Sequence, residues 1–149
     1  MLFTIGEAAA HIGITPSTLR YYDQEGLLPF VDRSKGGIRI FRASDLAWLR
    51  MINCLKTAGL SIKEIKTFVD LYIEGDSTLE SRRDMFYARK EAVERQMETL
   101  QKTLDFIRYK CWYYDTAAAH GTMEVFREMD PGEIPAEIAL LKKRAGVED

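Results

Sequence analysis

Apolar residues return every three to four positions through most of this chain and every second position in one short stretch, and this alternation divides it into elements. Ile5, Ala8, Ala9 and Ile12 share one face of a helix expected from about Thr4 to Ile12. Thr4 serves as N-cap, and Glu7 three residues on completes a capping box. Gly13 ends that helix, and Ile14 plugs the turn. A second helix opens at Thr15, with Pro16 at the first helical position, and stops at Gly26. Two short helices joined by a tight glycine turn predict a helix-turn-helix. Leu27-Leu28-Pro29-Phe30 leaves the second helix, Gly36-Gly37 marks a turn, and Ile38-Arg39-Ile40-Phe41-Arg42 alternates as a strand does, which predicts a small hairpin, or wing. A further helix is expected from about Ala43 to Ala58, capped near Ala43 or Ser44, with Trp48, Met51, Ile52 and Leu55 on its apolar face. Gly59 closes it, and Ser61 with Glu64 forms a second capping box. The helix that follows buries Ile62, Ile65, Phe68, Val69 and Tyr72.

The second half has a different period. Leu79, Phe86, Val93, Leu100, Ile107 and Tyr114 recur every seven residues, and Met97, Leu104 and Cys111 follow four after Val93, Leu100 and Ile107. This is the a/d seam of a coiled coil. Arg83 and Lys90 fill the earlier d positions, so the seam proper runs over Val93, Met97, Leu100, Leu104, Ile107 and Cys111. Asp84, Glu91, Glu98 and Asp105 flank it at positions expected to face solvent. A helix of about forty residues cannot bury such a stripe alone, so it calls for a partner. After Ala119 the pattern breaks at Gly121, Pro131-Gly132 and Pro135, and Ala136 to Ala145 reads as a short last helix ending at Gly146. The reading is mainly α, in three segments: 1–75, 76–119 and a tail, 120–149.

Composition narrows the class. Of 149 residues, 46% are apolar and 30% charged, and no apolar run approaches the ~18 residues of a spanning helix. The start, Met1-Leu2-Phe3-Thr4, has neither a basic n-region nor an apolar h-region, and a cytoplasmic protein with no membrane partner is expected. Cys54 and Cys111 lie too far apart in sequence to suggest a zinc knuckle or a disulfide scaffold. The net charge is −2, yet the interval from Arg33 to Lys66 holds eight basic residues against two acidic ones, a net of +6. Charge concentrated in one interval marks a candidate face for a polyanion.

Taken together, Thr4-Ile5-Gly6-Glu7-Ala8-Ala9, Thr18-Leu19-Arg20-Tyr21-Tyr22-Asp23-Gln24-Glu25-Gly26-Leu27-Leu28, Gly37-Ile38-Arg39-Ile40-Phe41 and Gly59-Leu60-Ser61-Ile62-Lys63-Glu64-Ile65 resemble, in order, the winged helix-turn-helix domain of MerR-type transcription regulators, over roughly residues 3 to 73. The resemblance implies a homodimer joined by an antiparallel coiled coil. Such a dimer binds a pseudo-palindromic operator in double-stranded promoter DNA and distorts it so that RNA polymerase engages both promoter elements. It also assigns roles. Arg20 and Tyr21 face outward for phosphate and base-edge contacts, while Leu19 and Tyr22 pack inward; Thr15, Ser17 and Thr18 meet phosphates or bases. Arg39 on the wing contacts the DNA backbone, supported by Arg33 and Lys35, and Ser61 at a helix N-terminus binds phosphate with Lys56.

A tail of thirty residues is too short for a large drug-binding domain, so the implied effector is small, reactive or a metal. The segments Asn53 to Gly59 and Tyr109 to Tyr114 resemble the thiol-dependent, electrophile-responsive branch of the family, which makes Cys54, with Lys56, Lys63 and Lys66 nearby, the expected sensor in a stress response. Metal-sensing relatives carry cysteines where this chain has Leu79 and the stretch from Trp112 to Thr122; Cys111 and His120 alone do not make a metal site. No catalytic triad order, Gly-rich phosphate loop or HExxH helix occurs, so neither an enzyme nor a cofactor is expected. The rival readings are a coiled-coil adaptor that does not bind DNA and a metal-responsive regulator.

Overall fold

A computed structural model describes residues 1 to 147; the last two positions of the expected tail, 148 and 149, lie outside the described residues. The chain divides into two compact units, one spanning Met1–Lys90 and one from Glu91 onward.

The first unit follows the local signals closely. Helix α1 (Ile5–Ile12) has Thr4 as N-cap, with the Glu7 amide donating to Thr4 Oγ1 at 3.3 Å and the Thr4 amide donating to Glu7 Oε2 at 2.8 Å. Gly13 takes the left-handed conformation (φ 77°) that lets the chain turn directly into α2 (Pro16–Gln24). The wing strand is β3 (Arg39–Arg42), paired antiparallel with β2 (Asp32–Arg33) and also with an N-terminal strand β1 (Leu2–Phe3) that the sequence pattern did not reveal. Two residues carry no periodicity, and Leu2 and Phe3 become a strand only because Arg42 and Phe41 lie opposite them. Then come α3 (Ala43–Thr57) and α4 (Ile62–Glu74).

These elements enclose one core, in which Leu19, Leu27, Phe41, Leu49, Ile52, Ile65 and Val69 are fully buried. In α3 the inward face differs from the expected one by part of a turn: Leu46, Leu49, Ile52 and Leu55 are buried, while Trp48 and Met51 pack at the margin. Trp48 is held there by its indole, which donates to the Leu27 carbonyl at 2.8 Å. Its ring also contacts Phe30 and Tyr72 at 5.5 and 4.7 Å between centroids. Tyr72, expected within the buried stripe, is consequently 42% exposed on the outer edge of this aromatic group. The start of α3 is capped by Asp45, whose carboxylate accepts the Arg42 amide at 2.7 Å.

A short 3-10 turn, Asp76–Thr78, leads into α5 (Leu79–His120), a helix of 42 residues. Its first turns belong to the first unit. Buried Thr78 donates to the Leu71 carbonyl at 2.5 Å, Arg82 donates to the Gly75 carbonyl at 3.1 Å, and Phe86 meets Phe68 edge-on at 5.4 Å. Arg89 reaches the Ala58 carbonyl at the end of α3, at 3.1 Å. From Glu91 onward, α5 together with α6 (Val125–Glu128), a 3-10 turn at Pro131–Glu133 and α7 (Ala136–Arg144) forms the second unit.

Along α5 the expected seam is apolar and open: Met97, Leu100, Leu104, Ile107 and Tyr114 are between 40% and 70% exposed. One expectation is overturned. Asp105 does not face solvent; it is 2% exposed and accepts a hydrogen bond from Gln101 at 2.9 Å. At ~100° per residue Asp105 lies on the side of α5 opposite the seam, the side that the heptad pattern treats as wet. That side is covered by the tail.

The two capping boxes predict an acid response. Hydrogen bonds from the Thr4 and Ser61 amides and hydroxyls hold the Glu7 and Glu64 carboxyls below the usual carboxylate range, helped at Glu64 by Arg89. A depressed carboxyl stabilises the fold above its unfolded-state value and ceases to do so as pH falls through its folded value. Thermal melts should therefore be flat from neutrality down to the ordinary carboxylate range and decline below it. Glu7→Gln with Glu64→Gln should remove part of that decline; an unchanged acid profile in the double variant would dissociate the caps from it.

Candidate nucleic-acid interface

Helix α2 exposes the outward residues expected of it and buries the inward ones. Leu19 and Tyr22 are 0% and 3% exposed, with burial raising the Tyr22 hydroxyl above its ordinary range, while Ser17, Arg20 and Tyr21 stand on the outer face. Thr15 is the N-cap: its Oγ1 accepts the Thr18 amide at 3.1 Å and lies 2.9 Å from the Thr18 hydroxyl. Helices α1 and α4 place a glutamate at the third position, where it meets the positive end of the helix dipole, but α2 has Thr18 there and no acid in its first turn. The N-terminus of α2 therefore keeps its positive end uncompensated by its own side chains.

The opposite holds at α4. Ser61 donates to Glu64 Oε2 at 2.9 Å, and the Glu64 carboxylate caps the helix start, so an approaching phosphate meets a carboxylate before it meets the helix N–H groups. Lys56 is exposed nearby in sequence, at the end of α3.

Arg39 occupies a position that the sequence did not foresee. Its guanidinium turns back from the wing onto Asp23 of α2, with Nε 2.6 Å from Oδ2, and its side chain is only 20% exposed. Arg33 shares the same carboxylate oxygen at 3.2 Å. Asp23 thus clasps both wing strands to α2. Arg42 pairs with Asp32 across the wing, and Lys66 with Asp70 along α4. Lys35 at the wing tip, Lys56, Arg50 and Lys63 are exposed and form no ion pair among the described residues; Arg50 and Lys63 were absent from the expected contacts because nothing in their local pattern separates them from any surface cation.

Cys54 and Cys111 are both exposed free thiols. Cys54 lies on the outer side of α3, with its carbonyl accepting the Ala58 amide at 2.8 Å, one turn before the Ala58 carbonyl that Arg89 engages. Among the described residues no group of three His, Cys, Asp or Glu side chains converges on a common point; His120 bonds through Nδ1 to the Thr116 carbonyl at 2.8 Å. None of the described helices is long and apolar enough to cross a membrane.

Comparison with known proteins matches residues 3–71 to the MerR HTH family regulatory protein model and residues 46–108 to the MerR DNA-binding model. An uncharacterized HTH-type transcriptional regulator of Haemophilus influenzae is 43% identical over 124 residues, which is 83% of this chain and 92% of the relative. Among solved structures, HiNmlR, described as a MerR family regulator lacking the sensor domain and bound to promoter DNA, is 42% identical with a TM-score of 0.77. The match covers 84% of this chain and 99% of that one. A MerR family regulator from Bacillus thuringiensis is 40% identical with a TM-score of 0.69, over 74% of this chain and 97% of that one.

The clasp separates two kinds of arginine and lysine by experiment. Lys35→Ala should make the loss of DNA affinity with salt shallower by roughly 0.9 per phosphate contact removed. Arg39→Ala should instead lower the stability by about 1.5–3 kcal/mol, the range for hydrogen bonds to charged groups, and change the salt slope less. A large slope change for Arg39→Ala with stability intact would place its guanidinium on DNA.

Proposed function

This chain belongs to the MerR family and is a DNA-binding transcriptional regulator of that type, and from this premise we propose that it acts as a homodimer which distorts promoter DNA for RNA polymerase in response to a small or reactive effector. The observation that carries the reading is the open seam of α5. Met97, Leu100, Leu104 and Ile107, spaced by threes and fours, and Tyr114 seven further on are each at least 40% exposed on one helix, and a second copy packed antiparallel buries them while pairing two DNA-binding units. The DNA contacts are Thr15, Ser17, Thr18, Arg20 and Tyr21 from α2 and its cap, Lys35 from the wing tip, and Lys56. Ser61 acts first as cap and Arg33 and Arg39 first as clasp, and any phosphate contact of theirs is secondary. The regulator works without catalysis and resides where its promoter is, in the cytoplasm. An adaptor that ignores DNA does not explain why α2 leaves its N-terminus free of acid while α1 and α4 do not.

Replacing Leu100 and Leu104 with Asp puts four carboxylates into the seam of a dimer, each costing several kcal/mol unless protonated. Light scattering should then report monomers, and operator affinity should fall by orders of magnitude as bivalency is lost. A persistent dimer would move the interface elsewhere.

Cys54 is the proposed sensor. Its thiol is accessible, and it lies one turn from the α3 carbonyl that Arg89 of α5 holds. Addition of the thiol across an aldehyde carbonyl forms a C–S bond and passes the thiol proton to the carbonyl oxygen. The hemithioacetal reverses when the aldehyde is cleared. The added group shifts the end of α3 against α5, and a bias of a few kcal/mol suffices to switch between two arrangements on DNA. In transcription with purified components, Cys54→Ser should bind the operator as wild type does yet fail to respond to a short aldehyde, whereas Cys111→Ser should respond. Full induction of Cys54→Ser would remove the thiol from the mechanism.

A further inference from the structure

The second unit holds a cleft that the DNA-binding reading leaves unused. On the side of α5 away from the seam, Tyr109, Trp112 and Tyr113 face the tail, and Phe126 of α6 stacks on Tyr113 at 3.9 Å with the rings 8° from parallel. The space between this aromatic wall and α7 is about 900 Å³, within the usual range for small-molecule sites. Its floor is apolar, including Met129 and Ile138. Its charged lining is cationic: exposed Lys143 and, beside it, Lys142, both from the last turn of α7. The Lys110 ammonium adds positive potential behind the wall, 4.7 Å from the Tyr113 ring centre. Aromatic side chains on one side and the exposed Lys143 ammonium on the rim select a flat, apolar body with one negative end.

We infer that this cleft binds a small planar aromatic carboxylate. The inference rests on the regulatory reading for its biological sense, and a second observation supports it independently of cleft shape. HiNmlR, described as lacking a sensor domain, is matched over nearly its whole length, yet about two dozen residues of this chain stay unmatched. The family models end at residue 108, and every residue that lines the cleft lies beyond that point, from Tyr109 onward. Because the cleft and the seam occupy opposite sides of α5, a second copy on the seam leaves the cleft open.

The test is isothermal titration calorimetry on the full chain without DNA, with 2-naphthoate as probe and 2-naphthol as its uncharged counterpart. One naphthoate should bind per chain. Lys143→Glu, a change at the exposed end of α7, should weaken naphthoate on the order of tenfold and leave naphthol within about twofold. Ala139→Trp, which fills the cleft, should abolish both, with circular dichroism confirming an intact fold. Absence of naphthoate binding at millimolar concentration overturns the inference, as does binding unaffected by both substitutions or naphthol bound as tightly as naphthoate. Operator binding is measured separately on the same preparations. Naphthoate bound by a protein that ignores promoter DNA would refute the regulatory reading while upholding the cleft.

Discussion

The arrangement of this protein follows from a helix with two apolar sides. Over its second unit α5 carries the heptad stripe on one side and Tyr109, Trp112 and Tyr113 on the other, and a lone helix in water has nothing to hold both. The chain resolves one side itself, by turning back at Gly121 and laying α6 and α7 across it. The other side stays open, and at roughly 25 cal/mol for each Å² of apolar surface, several half-exposed leucines, isoleucines and methionines provide a strong drive toward association. Self-coverage and the proposed dimerisation are thus complementary answers to one excess of apolar surface.

What could be read from the sequence was what is decided locally. Thr4 with Glu7, Thr15 with Pro16 and Ser61 with Glu64 fix helix starts through contacts three residues long, and each appears where expected. Three features depend on partners distant in the chain and were not visible. Leu2 and Phe3 become a strand only opposite Arg42 and Phe41. Arg39 alternates outward like any wing residue, and only folding brings Asp23 within reach of it. Asp105 sits at a position that a heptad pattern assigns to solvent, because such a pattern ranks positions by distance from the seam and contains no information about a tail that returns to the far side. The outward residues of α2 were legible for a related reason: Leu19 and Tyr22, buried, dictate that Arg20 and Tyr21 are not.

Within the first unit the same logic sorts the cations. Of the eight basic residues between Arg33 and Lys66, four serve the fold as ion-pair partners of Asp23, Asp32 and Asp70, and four form no ion pair among the described residues. Net charge along a sequence interval therefore overstates the charge available to a ligand. The useful quantity is the charge left after internal pairing, together with helix ends that carry no acid of their own.

The two-arginine clasp on Asp23 also bears on how the protein searches a genome. Attraction to random duplex scales with the number of phosphates that a protein neutralises, and arginines occupied by their own aspartate add little to it. A DNA-binding unit of this kind dwells briefly at each wrong site and exchanges quickly among the many that compete for it. In the proposed complex its preference for the right site then rests on the fit of α2 and the wing, held in fixed relation by the clasp, to a particular groove shape.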